Sequence, residues 1–291
     1  MHFVSPQSLD EAARHLAEGG GKARILAGGT DLLVQMKSGM ISPETVIDIK
    51  RIPGMRDITA EDGGFRVGAG VPGQQLNEHE GVKALWPGVV EACDLIGSTQ
   101  IQGRCTMVGN LCNGSPAADS VPAMAAANAV ARVVGPKGER DVPVAELPQG
   151  PGKLALEDGE FVASVFLPAR PGRAADAYLR FTPRTEMDIA VASAAVSLEL
   201  AQDGTISDAR VVLGAVGPKI NVVDAAAKAI IGTTLDDAAL DKMAAACRDA
   251  AQPIDDKRGT VEFRTQVAGV LASRAARIAK DRAEKKAGDR S

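Results

Sequence analysis

The stretch "LAGGTDLLVQMKSG" (residues 26–39) decides how the first half of the chain is read. The apolar run "ARILA" (23–27) has the character of a strand, and "DLLVQMKS" (31–38) that of a helix stopped by Gly39. Between them stand two adjacent glycines. Glycine permits positive φ and close approach of another backbone, and the free N–H groups that open a helix attract anions. Gly28-Gly29-Thr30 therefore fits either a tight turn with no ligand or a phosphate site. Its spacing is neither G-x-G-x-x-G nor G-x-x-x-x-G-K-[ST], so the Rossmann and P-loop readings fail.

Working outward, "SLDEAARHLAE" (8–18) predicts a helix, with Ser8 and Glu11 as a capping box and Leu9, Ala12, Ala13 and Leu16 on one face. "TVIDI" (45–49) and "FRVGAG" (65–70) predict strands, so the first half alternates strands and helices in an α/β pattern. "AVARVVGPKGERDV" (129–142) predicts a hairpin turning at "GPKG", and "GEFVASVFLP" (159–168) a closing strand. "ARPGRAAD" (169–176), rich in Pro, Gly and charge, is the candidate linker. Beyond it, Asp203-Gly204 separates two apolar runs as a second hairpin, and helices are expected near 222–230 and 236–250. The last stretch, from "VEFRTQVAGV" onward, has helical apolar spacing and then a charged tail, expected to be a solvated helix end rather than a nucleic-acid arm.

With 291 residues the chain has room for two domains. Hydrophobic residues make up 45% and charged residues 24%, a globular balance, and the net charge of -4 excludes a basic nucleic-acid-binding surface. No apolar run is long enough to span a bilayer, and "MHFVSPQSLDEA" shows no secretory signal. Cys93, Cys105, Cys112 and Cys247 form no C-x-x-C pair, which argues against a disulfide framework or an iron–sulfur site on this chain and for a reducing, cytoplasmic setting. With only His2, His15 and His79, no Ser-His-Asp or paired-acid constellation is visible, and no catalytic acid or base is assigned.

A second stretch, "TMVGNLCNGSPAADSVPAM" (106–124), crowds Thr106, Gly109, Asn110, Asn113, Gly114, Ser115, Asp119 and Ser120 between apolar flanks. Polar groups in an apolar setting need partners. Either the turn satisfies itself, or a ligand bearing hydroxyls and phosphates does so.

Together, "LAGGTDLL" and "TMVGNLCNGSPAAD" resemble the two FAD-binding signatures of the molybdenum hydroxylase flavoproteins. That family includes the medium subunit of aerobic carbon monoxide dehydrogenase and the flavin domain of xanthine dehydrogenase. The likeness continues in "YLRFTPRTEMDIAVASAAVSL" (178–198) and "FRTQVAGVLASRAARIA" (263–279), and so covers nearly the whole chain. The sequence departs from the family pattern at Val108, where the first Gly of G-G-N is usual, and at Gln102, Gly103 and Cys105, which replace Arg-Asn-x-Gly.

The resemblance implies a two-subdomain FAD-binding domain of the vanillyl-alcohol-oxidase/PCMH type over 1–172 (subdomains roughly 1–56 and 57–172). A smaller α+β C-terminal domain would follow over 176–285. By the same likeness Ala27, Gly28, Gly29, Thr30 and Asp31 would wrap the FAD diphosphate, with Thr106, Gly109 and Asn110 as the second wall. Asp119 would bond sugar or ribityl hydroxyls, or serve as a helix N-cap. Ile96 would lie against the flavin ring and Val162 near the adenine. Arg180 takes the place of a family Lys and would either stabilise anionic reduced flavin or be a surface arginine. Cys105 and Cys112 flank the loop that holds Val108, either as small apolar fillers or as a thiol near the flavin. The implied activity is electron transfer: electrons would pass from the [2Fe-2S] clusters of a small partner subunit onto FAD and on to an external acceptor. A large partner subunit would hold the molybdenum cofactor, in a dimer of heterotrimers. A flavin-free assembly subunit and a self-sufficient FAD oxidase are the rival readings.

Overall fold

The computed structural model describes residues 1–185 and 187–288. The chain opens with β1 (His2–Val4), α1 (Leu9–Glu18), β2 (Ala23–Leu26), α2 (Leu32–Lys37) and β3 (Thr45–Asp48). These strands form a parallel sheet in the order β1-β3-β2, with Ala23 and His2 both opposite Thr45. Ser8 caps α1 by accepting from the Glu11 N–H, while the Glu11 carboxylate accepts from Gln7 N rather than from Ser8, one residue beyond the usual capping box.

A second sheet follows. It comprises β4 (Ile58–Glu61), β5 (Gly64–Gly68), β6 (Val130–Gly135), β7 (Gly138–Pro143) and β10 (Phe161–Leu167), in the order β4-β5-β10-β6-β7. Every pairing in it is antiparallel. The α/β alternation thus holds for the first sheet only, because the second is built from tight hairpins that force antiparallel neighbours. The "GPKG" hairpin forms as read; a further hairpin turns at Asp62-Gly63, where both residues have positive φ.

Between β5 and β6 the chain folds into six short helices. They are α3 (Gly73–Asn77), α4 (Glu80–Leu85), α5 (Pro87–Asp94), α6 (Thr99–Gln102), α7 (Met107–Cys112) and α8 (Ser120–Ala126). The Asn/Ser-rich stretch is therefore two helices and their joint rather than a turn. Every residue of α8 is buried, so it carries no amphipathic period. A small two-stranded sheet, β8 (Pro148–Gly150) with β9 (Lys153–Leu154), precedes β10.

The C-terminal part is β11 (Ala174–Phe181), β12 (Ala192–Leu200), β13 (Ile206–Gly214) and β14 (Asn221–Val222), an antiparallel sheet in chain order, followed by α9 (Asp224–Ile230), α10 (Asp237–Ala250) and α11 (Val261–Gly288). α11 lies on β11 and β12. It presents Ala268, Ala272, Ala275, Ala276, Ala279 and Ala283, all fully buried, so that small side chains let helix and sheet approach closely. The other face of this sheet meets α5 and α8. Strand alternation separates the two faces. Ala175, Ala177, Ala194, Val196, Val211 and Leu213 pack with the terminal helices, whereas Tyr178, Ala195 and Val212 join the core of the first half.

One expectation is corrected here. Residues 169–176 are not a loose linker: β11 begins at Ala174, and the Arg170 side chain is 4% exposed, stacked 4.0 Å over the Trp86 ring and 2.9 Å from the Asp176 carboxylate. Arg170 also donates to the Leu85 carbonyl and Ser197 Oγ. The charged end of the last helix is solvated as expected at Asp281, Glu284 and Lys285, which are exposed, and Arg282 anchors it to the rest of the fold. Arg282 donates to the Asp176 carbonyl at 2.8 Å and forms a two-pronged ion pair with Glu91 of α5. Composition marked residues 169–176 as polar, but an arginine stem and guanidinium group are readily buried when a carboxylate and an aromatic face receive them, as Asp176 and Trp86 receive Arg170.

Removing one partner of a buried pair leaves the other charge uncompensated. Arg170→Ala is expected to lower the free energy of unfolding by about 3–5 kcal/mol, measured by urea denaturation; a loss below about 1 kcal/mol, the range of exposed pairs, would show that the clamp contributes little.

Candidate functional site

The two quoted stretches meet. The turn after β2 crosses the segment before α7 so closely that a Cβ on Gly28 would stand 2.0 Å from the Arg104 carbonyl oxygen. Gly29 has φ of 80°, and a Cβ there would press on Leu26 and Leu33. The bare backbone at this junction is thus required first by the protein itself: glycine lets one loop seat on the other. Two side-chain bonds reinforce the closure, Asn113 Nδ2 to Asp31 Oδ1 at 3.3 Å and Gln35 Nε2 to Asn113 Oδ1 at 3.1 Å.

Below the closed loops lies a cavity of about 520 Å³, within the range of small-molecule and cofactor sites. Ala27, Gly28, Gly29, Thr30 and Asp31 line one side. Thr106, Gly109 and Asn110 line another, and Ile96 and Val162 contribute apolar wall. Among the described residues, no protein acceptor takes the N–H groups of Gly28 through Leu32. A cavity with orphan amides at one end and apolar side chains such as Ile96, Ala69, Leu154 and Leu156 elsewhere fits a ligand with an anionic segment and flat rings.

Thr106 caps α7, its hydroxyl accepting from Gly109 N at 2.8 Å. A Cβ on Gly109 would lie 2.7 Å from that hydroxyl, so the cap and the glycine go together. Asn110 faces two ways. It lines the cavity, and its Oδ1 accepts from Ser120 N at 3.1 Å and Ser120 Oγ at 2.7 Å, which fixes α7 to α8.

Asp119 and Arg180 do not line the cavity. They sit behind it, where α8 meets β11. Asp119 Oδ1 accepts from the Tyr178 hydroxyl at 2.7 Å and Oδ2 from Arg180 Nη1 at 2.6 Å. Asp119 occupies the N-cap position of α8 but makes no side-chain cap bond, so the capping alternative fails: the carboxylate is turned to stronger donors on β11. Arg180 is not a surface residue, its side chain being 7% exposed. Burial pushes Asp119 up to about 6, with the Arg180 charge and the Tyr178 hydroxyl opposing, and burial holds Tyr178 well above its ordinary value. Burial also raises Asp31. Cys105 lines the cavity and is pushed up to about 11 by burial, so it stays a thiol and fills space as expected. Cys112 lines the same wall. Among the described residues no cluster of His, Cys, Asp or Glu could hold a metal ion, and no helix is long and apolar enough to cross a membrane.

Three contributors escaped the sequence reading. Gln102, 2% exposed, donates through Nε2 to the carbonyls of Cys93, Asp94 and Ile96 and so fixes the loop that carries Ile96. Lys50 donates to the Ala27 carbonyl. Tyr178 completes the Asp119 cluster. Only Tyr178 left a signal, standing two residues before Arg180 and hence on the same face of a strand.

Residues 1–170 match the FAD binding domain in molybdopterin dehydrogenase, which makes the first half a flavin-binding module, and residues 177–279 match the CO dehydrogenase flavoprotein C-terminal domain. The carbon monoxide dehydrogenase medium chain of Afipia carboxidovorans is 33% identical over 288 residues, covering 97% of both chains. A putative xanthine dehydrogenase FAD-binding subunit of Escherichia coli strain K12 is 32% identical over 72% of both. The structure of reconstituted CO dehydrogenase from Oligotropha carboxidovorans superposes with a TM-score of 0.92 at 32% identity, over 97% of both chains. The chain belongs to the FAD-binding subunits of the molybdenum hydroxylase family, an oxidoreductase family.

Gly28→Ala is expected to force the two loops apart and to cost about 1–3 kcal/mol of stability as an overpacked site, read by urea unfolding; a variant as stable as the parent would show that Arg104 moves aside freely. The Asp119 cluster predicts a pH effect. The folded value near 6 stands above the ordinary 3.8. The group's stabilising contribution is therefore present below about pH 4 and lost as pH rises through about 6. The stability difference between the parent and Asp119→Asn is expected to change across that window and to be flat above it; a difference constant from pH 4 to 7 would contradict the assignment.

Proposed function

We propose that this chain is the electron-transfer subunit of a heterotrimeric molybdenum hydroxylase. It would receive electrons from the [2Fe-2S] clusters of a small partner subunit and pass them to an external acceptor, while a large partner subunit holding the molybdenum cofactor oxidises the substrate. Bound FAD would supply the redox chemistry, and the protein its binding and tuning. The observation that carries this reading is the cavity itself. It offers amides without partners at the Gly28–Leu32 turn, an opposite wall of Thr106, Gly109 and Asn110, and no histidine in its lining among the described residues. A site built to hold a dinucleotide, whose lining carboxylates Asp31 and Glu160 are engaged by Asn113 and Arg140, suits a carrier of electrons rather than a self-contained oxidase.

In this reading Ala27, Gly28, Gly29, Thr30 and Asp31 hold the diphosphate, Ile96 packs on the flavin ring and Val162 lies near the adenine. Asp119 and Arg180 act from behind the wall, where a buried guanidinium held by one carboxylate sets the local field. The FAD-binding unit spans 1–172 and the C-terminal unit 176–285, supported by two separate apolar cores. Assembly as a dimer of heterotrimers follows the family precedent. Four free cysteines suit a reducing, cytoplasmic compartment.

The test is to purify the chain alone, record its visible spectrum, then release the chromophore and identify it by mass. Flavin bands, released FAD and no iron are expected. A folded, colourless chain that takes up no added FAD would overturn the assignment in favour of a flavin-free assembly subunit. A flavin-loaded chain that oxidises an organic substrate unaided would favour a self-sufficient oxidase.

A further inference from the structure

Lys50 follows β3 and is not part of the cavity lining, yet it touches the turn that is. Its Nζ donates to the Ala27 carbonyl at 2.9 Å and to Asp48 Oδ1 at 2.6 Å. Asp48 Oδ1 also accepts from the Lys50 N–H at 3.1 Å, which fixes the start of the side chain as well as its end. The pair is largely enclosed, with Lys50 25% and Asp48 17% exposed. The stem runs close to Gly70, where a Cβ would lie 3.4 Å from Lys50 Cγ.

The geometry of the peptide unit gives this contact a consequence. The described residues contain no cis peptide bond, and in a trans peptide the C=O and N–H point in opposite directions. Holding the Ala27 carbonyl toward Lys50 therefore turns the Gly28 N–H away from Lys50. Ala27 and Gly28 both line the cavity while Lys50 does not, and no protein acceptor meets the Gly28 N–H among the described residues.

We propose that Lys50 is a positioning residue: by holding the Ala27 carbonyl from behind, it aims the Gly28 amide at an anionic diphosphate in the cavity. It acts through the peptide and not through its own charge, which Asp48 already balances from outside the cavity wall. The role lies on this chain's own residues and rests on the FAD reading above.

The test uses the full-length chain freed of flavin, titrated by calorimetry with FAD, with ADP and with riboflavin at two salt concentrations. The unmodified chain is measured first. Lys50→Met is expected to weaken FAD and ADP by a similar factor of roughly ten, the size of one hydrogen bond to a charged group. Riboflavin, which has no diphosphate, should bind as before. Lys50→Arg, which can still donate to Ala27, should restore most of the loss. The salt dependence of ADP binding should be the same in Lys50→Met and parent, because no charge is lost from the phosphate contact. Unchanged FAD and ADP affinity in Lys50→Met would overturn the proposal. So would an equal loss of riboflavin, which would mean general collapse of the cavity, or a weaker salt dependence, which would mean direct attraction by the ammonium. If Lys50→Met does not fold, Lys50→Gln, with a shorter donor arm, is read by the same criteria. An unmodified chain that binds neither FAD nor ADP would instead overturn the FAD reading and this inference with it, an outcome distinct from failure of the lysine variants alone.

Discussion

The seating of the Gly28 turn on the Arg104 carbonyl is the contact on which the site depends. Two segments nearly eighty residues apart approach there to a distance at which no side chain fits between them. Close packing of this kind leaves little room to adjust, so the relative position of the two cavity walls is set by backbone rather than by long side chains. The bonds from Asn113 to Asp31 and from Gln35 to Asn113 then fix the lateral register of the closure. The glycines that read as a ligand's requirement are first a requirement of the fold; room for an anion is what remains beside the closed loops, where the amides of the turn have no partner among the described residues.

The C-terminal sheet supplies the second constraint. Its period-two alternation sends Ala175 and Ala177 into the core beneath the terminal helices, and Asp176, Tyr178 and Arg180 to the opposite face. That face cannot be left apolar and uncovered, and it carries charged groups that need partners. Arg170 meets Asp176, Asp119 meets Arg180, and Arg282 from the last helix reaches Glu91 on α5. The two halves are therefore joined by polar contacts that demand particular geometry, around an apolar contact made by Tyr178, Ala195 and Val212. One member of this polar joint, Asp119, lies next in sequence to Ser120, whose N–H and hydroxyl hold Asn110 of the cavity wall. A change in the charge of the Asp119 cluster is thus one short helix joint away from the site.

Legibility in the sequence followed the physical range of each signal. Strands β2 and β3, the "GPKG" hairpin and the Asp203-Gly204 hairpin were readable because period and turn residues act locally. The Asp62-Gly63 hairpin carried the same signal in "EDGG" and went unread although its second strand, "FRVGAG", was read, because "ITAE" has too few apolar residues to mark a partner strand. Of the six short helices before β6, only α8 was legible, as the helix Asp119 could cap; none runs beyond eight residues, too short to display a helical period. For the candidate site, the two glycine- and asparagine-rich stretches drew attention to the right walls, and Ile96 and Val162 came only through family resemblance. Lys50 was invisible, and Gln102 showed only as a departure from the family pattern, because each acts on a backbone carbonyl, and a carbonyl acceptor has no residue type to show in a sequence.

The division between what lines the cavity and what stands behind it suits the electron carrier proposed above. Such a site has to hold its cofactor firmly and tune it, and a group that tunes a ring by its field need not touch it. Charged groups facing a cavity would be hydrated and their field screened, whereas Arg180 and Asp119, each less than a tenth exposed, sit in a medium that screens poorly. Placing them behind Asn110 and the α7–α8 joint keeps this pair out of the cavity lining, whose own charged members are Arg24, Asp31 and Glu160. The replacement of a family lysine by Arg180 is consistent with that position. A guanidinium keeps its charge when buried and offers several donors in a fixed plane, and here one of them is committed to Asp119 while Tyr178 holds the other carboxylate oxygen in place.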